Sequence, residues 1–203
     1  MGFDYYAWMK RHVGHHINCV YYGDSVNDPD DVCIECETCN EVLFSAETLC
    51  LEDKDNNFVN DLATDYSISS DYKTYTVNIR DDVKFTDGSK LTAKDVAFSY
   101  NTAKEFGEGA DLSSMTEAKA TSDTQIEFTL DKADSTFINK LTDVGIVPEA
   151  NYNNETYGQN PIGSGPYKFS QWDKGQQVIL ERNDDYYGKK PYYSKITNLF
   201  LDR

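Results

Sequence analysis

The run TYTVNIRDDVKFTDGSKLTAKDV, residues 74–96, leaves this chain few ways to fold. Tyr75, Val77 and Ile79 alternate with polar residues, the period of a strand with one face buried. Asp87-Gly88 then supplies the positive φ of a tight turn, so the chain must reverse there. Beyond it, Thr92 and Asp95 stand at the spacing of a capping box, with Asp in place of the usual Glu. The Thr92 hydroxyl is expected to accept a first-turn amide, while the Asp95 carboxylate favours the positive end of the helix. Val96, Ala97, Tyr100 and Ala103 recur at three- and four-residue spacing, so the spacing predicts a helix over 93–104 with one apolar face against the preceding strands.

The same reading extends through the rest of the chain. Residues 117–121 and 125–130 form a predicted hairpin in which Ile126, Phe128 and Leu130 alternate. Ser135 is expected to cap a short helix over 136–142, and the apolar run ending at Val147 stops at Pro148, which has no amide to donate. Residues 167–172 and 177–182 read as paired strands around a turn at Gly175, with a last strand over 196–201. From residue 46 onward the expected class is α+β.

A boundary near residues 45–47 is expected from composition. All five cysteines and all three histidines lie in the first fifty residues. Residues 1–45 therefore read as a small Cys/His-rich module, with acidic turn material around Asp24 to Asp31 between two short apolar runs. Cys33, Cys36 and Cys39 form two overlapping Cys-x-x-Cys knuckles, with His15, His16 and Cys19 upstream. Thiolates two residues apart can share one tetrahedral zinc when another pair comes from elsewhere in the fold. Cys33, Cys36, Cys19 and His16 complete such a set, with Cys39 as the further candidate. Free thiols on a poorly ordered tail are the competing reading. A redox pair is a third, although no thioredoxin-like βαβ pattern surrounds the motif.

Charge excludes several partners. With 35 Asp plus Glu against 19 Lys plus Arg, the formal charge of −16 repels phosphate backbones and anionic lipid surfaces. Nucleic acid is not an expected partner. No stretch approaches the ~18 apolar residues of a membrane span, so direct membrane insertion is not expected, and no signal peptide is read at the start. Residues 47–203 contain neither His nor Cys apart from Cys50, and no Gly-x-Ser-x-Gly. The acidic pairs Asp81 with Asp82 and Asp184 with Asp185 are adjacent in sequence and read as solvated surface rather than as acid–base partners. No catalytic residue is assigned, and the chain is expected not to be an enzyme.

The strand, Asp-Gly turn and capped helix closely resemble the signature of family 5 extracytoplasmic solute-binding proteins, the peptide-, dipeptide- and nickel-binding components of ABC importers. Three further segments agree in order and spacing: FVNDLA at 58–63, IGSGPY at 162–167 and ERNDDYY at 181–187. The resemblance covers residues 47–203. It implies a mixed-sheet subdomain of a type II-like periplasmic binding protein lobe, in a family that clamps its ligand between two lobes. It also implies a non-catalytic substrate-binding component for uptake of a peptide or related small solute, with ABC transporter membrane permease subunits as partners. No cofactor is implied for the binding domain; zinc is expected only within residues 1–45. The implied location is extracytoplasmic, in the periplasm or on a cell-surface lipoprotein, while the missing signal leaves the cytoplasm open. A full family member continues well beyond the equivalent of Arg203, so a first-lobe fragment is expected to bind solute weakly. The alternative is a zinc-stabilised interaction module fused to a vestigial binding-protein subdomain. The ligand-binding residues are not assigned, because the motif positions are those of turns and caps.

Overall fold

The computed structural model describes residues 17–22, 31–36, 41–42, 47–52, 58–106, 110–153 and 156–199, with side chains from Glu47 onward except that of Glu52. Its centre is a four-stranded antiparallel sheet of β6 (Ala63–Ile68), β7 (Thr74–Ile79), β8 (Met115–Ala120) and β9 (Gln125–Leu130), in the order β6-β7-β9-β8. The alternation in β7 sets its register: Tyr75 faces Phe128 and Val77 faces Ile126, so the apolar residues of both strands share one face. All four of these side chains are fully buried.

The helix α1 (Ala93–Phe106) covers that face. Val96, Ala97 and Tyr100 are buried, and the Tyr100 ring meets Phe128 edge-on with centroids 4.8 Å apart. The helix also guards an exposed edge. The Asn101 side chain donates to the Ala118 carbonyl at 2.8 Å and accepts from the Ala118 amide at 3.0 Å, standing in for a neighbouring strand beside β8. Lys104 adds a bond to the Thr116 carbonyl at 2.9 Å.

A two-stranded hairpin of β4 (Cys50–Glu52) and β5 (Phe58–Asn60) precedes this sheet, and 3-10 helices follow at Phe137–Thr142, Glu149–Asn151 and Tyr157–Gln159. The expected cap at Ser135 is not formed: the first of these helices starts after Thr136 with no side-chain cap, and Asp134 Oδ1 accepts the Thr136 amide at 2.9 Å and the Thr136 hydroxyl at 2.6 Å just ahead of it. A short carboxylate two residues ahead of an amide closes a local turn of this kind.

The last unit is a three-stranded antiparallel sheet of β10 (Tyr167–Asp173), β11 (Gln177–Arg182) and β12 (Lys195–Leu199). Gly175 turns β10 into β11 at φ +73°, as the sequence predicts. Its core of Tyr167, Val178, Leu180 and Ile196 is distinct from the larger core, which runs from Leu49 through the four-stranded sheet to Ile146. The chain also carries an antiparallel sheet of β1 (Ile17–Tyr22), β2 (Asp31–Cys36) and β3 (Glu41–Val42) in its N-terminal part. No described helix is long and apolar enough to cross a membrane.

Candidate functional site

The signature segments converge on one junction between the two larger sheets. The turn after β7 is fixed first. Gly88 adopts φ +87°, and the Asp87 carboxylate accepts the Ser89 amide at 2.9 Å, the Ser89 hydroxyl at 2.6 Å and the Asn151 side-chain amide at 2.6 Å. Burial opposes the Asp87 charge, but the bonds from Ser89 and Asn151 outweigh it and hold its pKa below the ordinary value. The Thr86 amide then donates to the Gly163 carbonyl at 2.8 Å, which docks this turn onto the IGSGPY segment.

That segment is gripped from its other side. Asn183, in ERNDDYY, is buried; its side chain donates to the Gly165 carbonyl at 2.9 Å and its backbone amide to the Pro166 carbonyl at 2.8 Å. Between these anchors the Ser164 side chain is fully buried, with no partner for its hydroxyl among the described residues. The FVNDLA segment joins through Asp61, whose Oδ1 accepts the Tyr187 hydroxyl at 2.6 Å. Residues 61 and 187 meet across the whole sequence of motifs, a contact that spacing does not reveal.

The helix start differs in detail from expectation. The Thr92 hydroxyl does not accept an amide; it donates to Asp95 Oδ2 at 2.9 Å, beside the Thr92 amide at 2.9 Å. Asp95 Oδ1 accepts the Glu149 amide at 3.0 Å, so one carboxylate caps α1 and anchors the 3-10 helix at 149–151. A carboxylate with two acceptor oxygens can serve both elements, whereas a hydroxyl serves one.

The acidic pairs are drawn into local ion pairing. Asp82 receives a bidentate grip from Arg80, at 2.9 and 2.8 Å, and that bond holds its pKa below the ordinary value. Lys190 and then Arg182 do the same for Asp184, at 2.7 and 3.0 Å. Both pairs lie after their strands rather than within them, Asp81 and Asp82 in a bend and Asp184 and Asp185 in a turn. Cys50 is buried, and burial, with the Asp61 charge behind it, pushes its thiol up to about 11, the environment of an inert thiol.

For the metal candidates, Cys19 falls in β1 and Cys33 and Cys36 in β2, strands in register with Cys19 opposite Ile34 and Cys33 opposite Val20. His16 and Cys39 lie outside the described residues, as do the side chains of the other three. Among the described residues no group of three or more His, Cys, Asp or Glu side chains is placed to hold a metal.

The fold and this junction define a lobe of the periplasmic binding protein type. Residues 57–202 match the family described as bacterial extracellular solute-binding proteins, family 5 Middle. This chain belongs to that family. It is 38% identical over 137 residues to the oligopeptide-binding protein AppA of Bacillus subtilis, a match covering 61% of this chain and 25% of AppA. The solved structure of Bacillus subtilis AppA in complex with a nonapeptide superposes with a TM-score of 0.67 at 28% identity, covering 89% of this chain and 36% of AppA. NikZ from Campylobacter jejuni, solved in complex with Ni(L-His), matches with a TM-score of 0.68 at 29% identity, covering 76% of this chain and 33% of NikZ. The chain thus spans a quarter to a third of the length of the curated relatives it matches. None of these matches supports a separate zinc module as the chain's function. Family members are solute-binding proteins rather than enzymes.

Proposed function

We propose that this chain supplies part of the first lobe of the substrate-binding component of an ABC importer, acting outside the cytoplasmic membrane on a peptide or related small solute. The carrying observation is the junction itself: four segments that resemble the family signature meet through Thr86–Gly163, Asn183–Gly165 and Asp61–Tyr187 bonds. That assembly ties the segments flanking β10 to β12 to the four-stranded unit and engages Asp87, Asp95, Asp82 and Asp184 in a turn, a cap and ion pairs. The proposed role is non-catalytic binding, with the ABC transporter's membrane permease subunits as partners and no cofactor for the binding domain. Peptide is the first substrate class, supported by the nonapeptide held by AppA; a nickel chelate is the second, supported by NikZ.

Calorimetric titration tests this reading. Short peptides and Ni(L-His) are titrated into a chain that carries these residues and continues through the length of the relatives. Saturable peptide binding is expected, and a chain that binds Ni(L-His) alone moves the substrate class. Binding of neither removes it.

For residues 1–45, the proposed metal is a structural zinc held by Cys19, Cys33, Cys36 and His16, with Cys39 as the further candidate. Metal analysis with a thiol titration decides it. One zinc per chain, with thiols that become reactive on chelation, supports the site; metal-free protein with freely reactive thiols ends it.

A further inference from the structure

The two larger sheets have separate cores, and one side chain belongs by sequence to one and by packing to the other. Tyr187 follows β11 within the three-stranded unit, yet it packs against the larger core. Its hydroxyl donates to Asp61 Oδ1 at 2.6 Å, and the Arg80 guanidinium lies over its ring, 4.6 Å from the centroid. Asp61 lies two residues before β6 and Arg80 immediately follows β7, so both partners sit at one end of the four-stranded sheet.

Each partner is itself held. The Arg80 amide donates to the Leu62 carbonyl at 3.0 Å, and its guanidinium grips Asp82. The Asp61 amide donates to the Leu49 carbonyl at 3.2 Å. The Tyr186 ring packs beside that of Tyr187, with centroids 4.8 Å apart. The following residue, Gly188, allows this close turn: a Cβ there would meet the Tyr186 ring at 2.6 to 2.9 Å.

We propose that Tyr187 is the pin of a joint that makes the two cores unfold as one unit and fixes the orientation of the smaller sheet on the larger. Among the described residues, the other ties named above, Thr86 to Gly163 and Asn183 to Gly165 and Pro166, are hydrogen bonds to the linking segment, whose Ile162 also packs against the larger core. The smaller core has four buried residues at its centre, too few for independent stability at the level of the larger unit. Its cooperativity must therefore come through contacts such as the Tyr187 ring, which adds aromatic burial, a charge-assisted hydrogen bond and a cation–π contact at one point. This inference concerns how the lobe holds together and stands whichever solute the protein binds.

The test uses the full chain with Trp8 replaced by Phe, which leaves Trp172 as the sole tryptophan and reports on the smaller sheet. Ellipticity at 222 nm reports on α1. Urea unfolding of this parent is expected to give coincident transitions by the two probes. In Tyr187→Ala the Trp172 transition is expected to fall to lower urea, ahead of α1. Tyr187→Phe keeps the ring and removes only the hydroxyl, so it tests the pin even where Tyr187→Ala fails to fold. It is expected to shift the Trp172 equilibrium roughly tenfold toward unfolding, with Asp61→Asn adding little more in the double variant. Transitions that separate already in the parent overturn the proposal. So do transitions that remain coincident in Tyr187→Ala, and so do additive effects of Tyr187→Phe and Asp61→Asn.

Discussion

At the residue scale, the junction carries a side chain whose chemistry is not matched by its surroundings. Ser164 is fully buried between two glycines whose carbonyls are both engaged, and its own hydroxyl has no partner among the described residues. Leaving a buried hydroxyl unbonded costs about 1–3 kcal/mol, and replacing it with a methyl group of similar shape removes that cost. Ser164→Ala is therefore expected to raise the urea midpoint, with a gain of about 1 kcal/mol. A loss of similar size in the same measurement shows that the hydroxyl is bonded. In the sequence, Ser164 is one letter in a glycine-rich segment, legible as a bend but not as a buried position. Burial there follows from Thr86 and Asn183 closing on the segment from both sides, and those residues lie far from it along the chain.

At the scale of elements, legibility follows the presence of a buried face. The strand β7, the Asp87-Gly88 turn, α1, the β8–β9 hairpin and the β10–β11 pair all stand where alternation and turn residues place them, because each has one apolar side against a core. The edge strand β6 was not legible: only Ala63 of its six residues is buried, so no period of two is written into it. The β4–β5 hairpin was missed for a related reason, since strands of three residues are too short to show a period. The cap of α1 was legible in position but not in reach. Asp95 accepts the Thr92 amide and hydroxyl on one oxygen and the Glu149 amide, 54 residues away in sequence, on the other. Asp95→Ala is expected to cost about 2–3 kcal/mol in urea denaturation, more than the ~1 kcal/mol of an ordinary cap, because two elements lose an acceptor together. Asp95→Asn keeps one carbonyl acceptor and is expected to recover about half of that loss. Equal losses in the two variants assign the whole effect to the charge.

At the scale of the molecule, the question is whether the first 45 residues form a unit of their own. Composition sets them apart, since every histidine and four of the five cysteines fall there. The family match begins at residue 57. The strands β1 to β3, however, form an antiparallel sheet. A segment that belongs to the lobe shares its cooperative transition; an autonomous module does not. Removal of residues 1–45 is therefore expected to lower the urea midpoint of the remaining chain, followed by α1 ellipticity, by more than the ~0.5 kcal/mol of a surface change. An unchanged midpoint assigns the segment to an autonomous module. Repeating both unfolding curves with a zinc chelator separates metal from packing. Loss of stability on chelation in the full chain alone places zinc within residues 1–45, whereas curves that ignore the chelator leave strand pairing and burial as what joins the segment to the lobe.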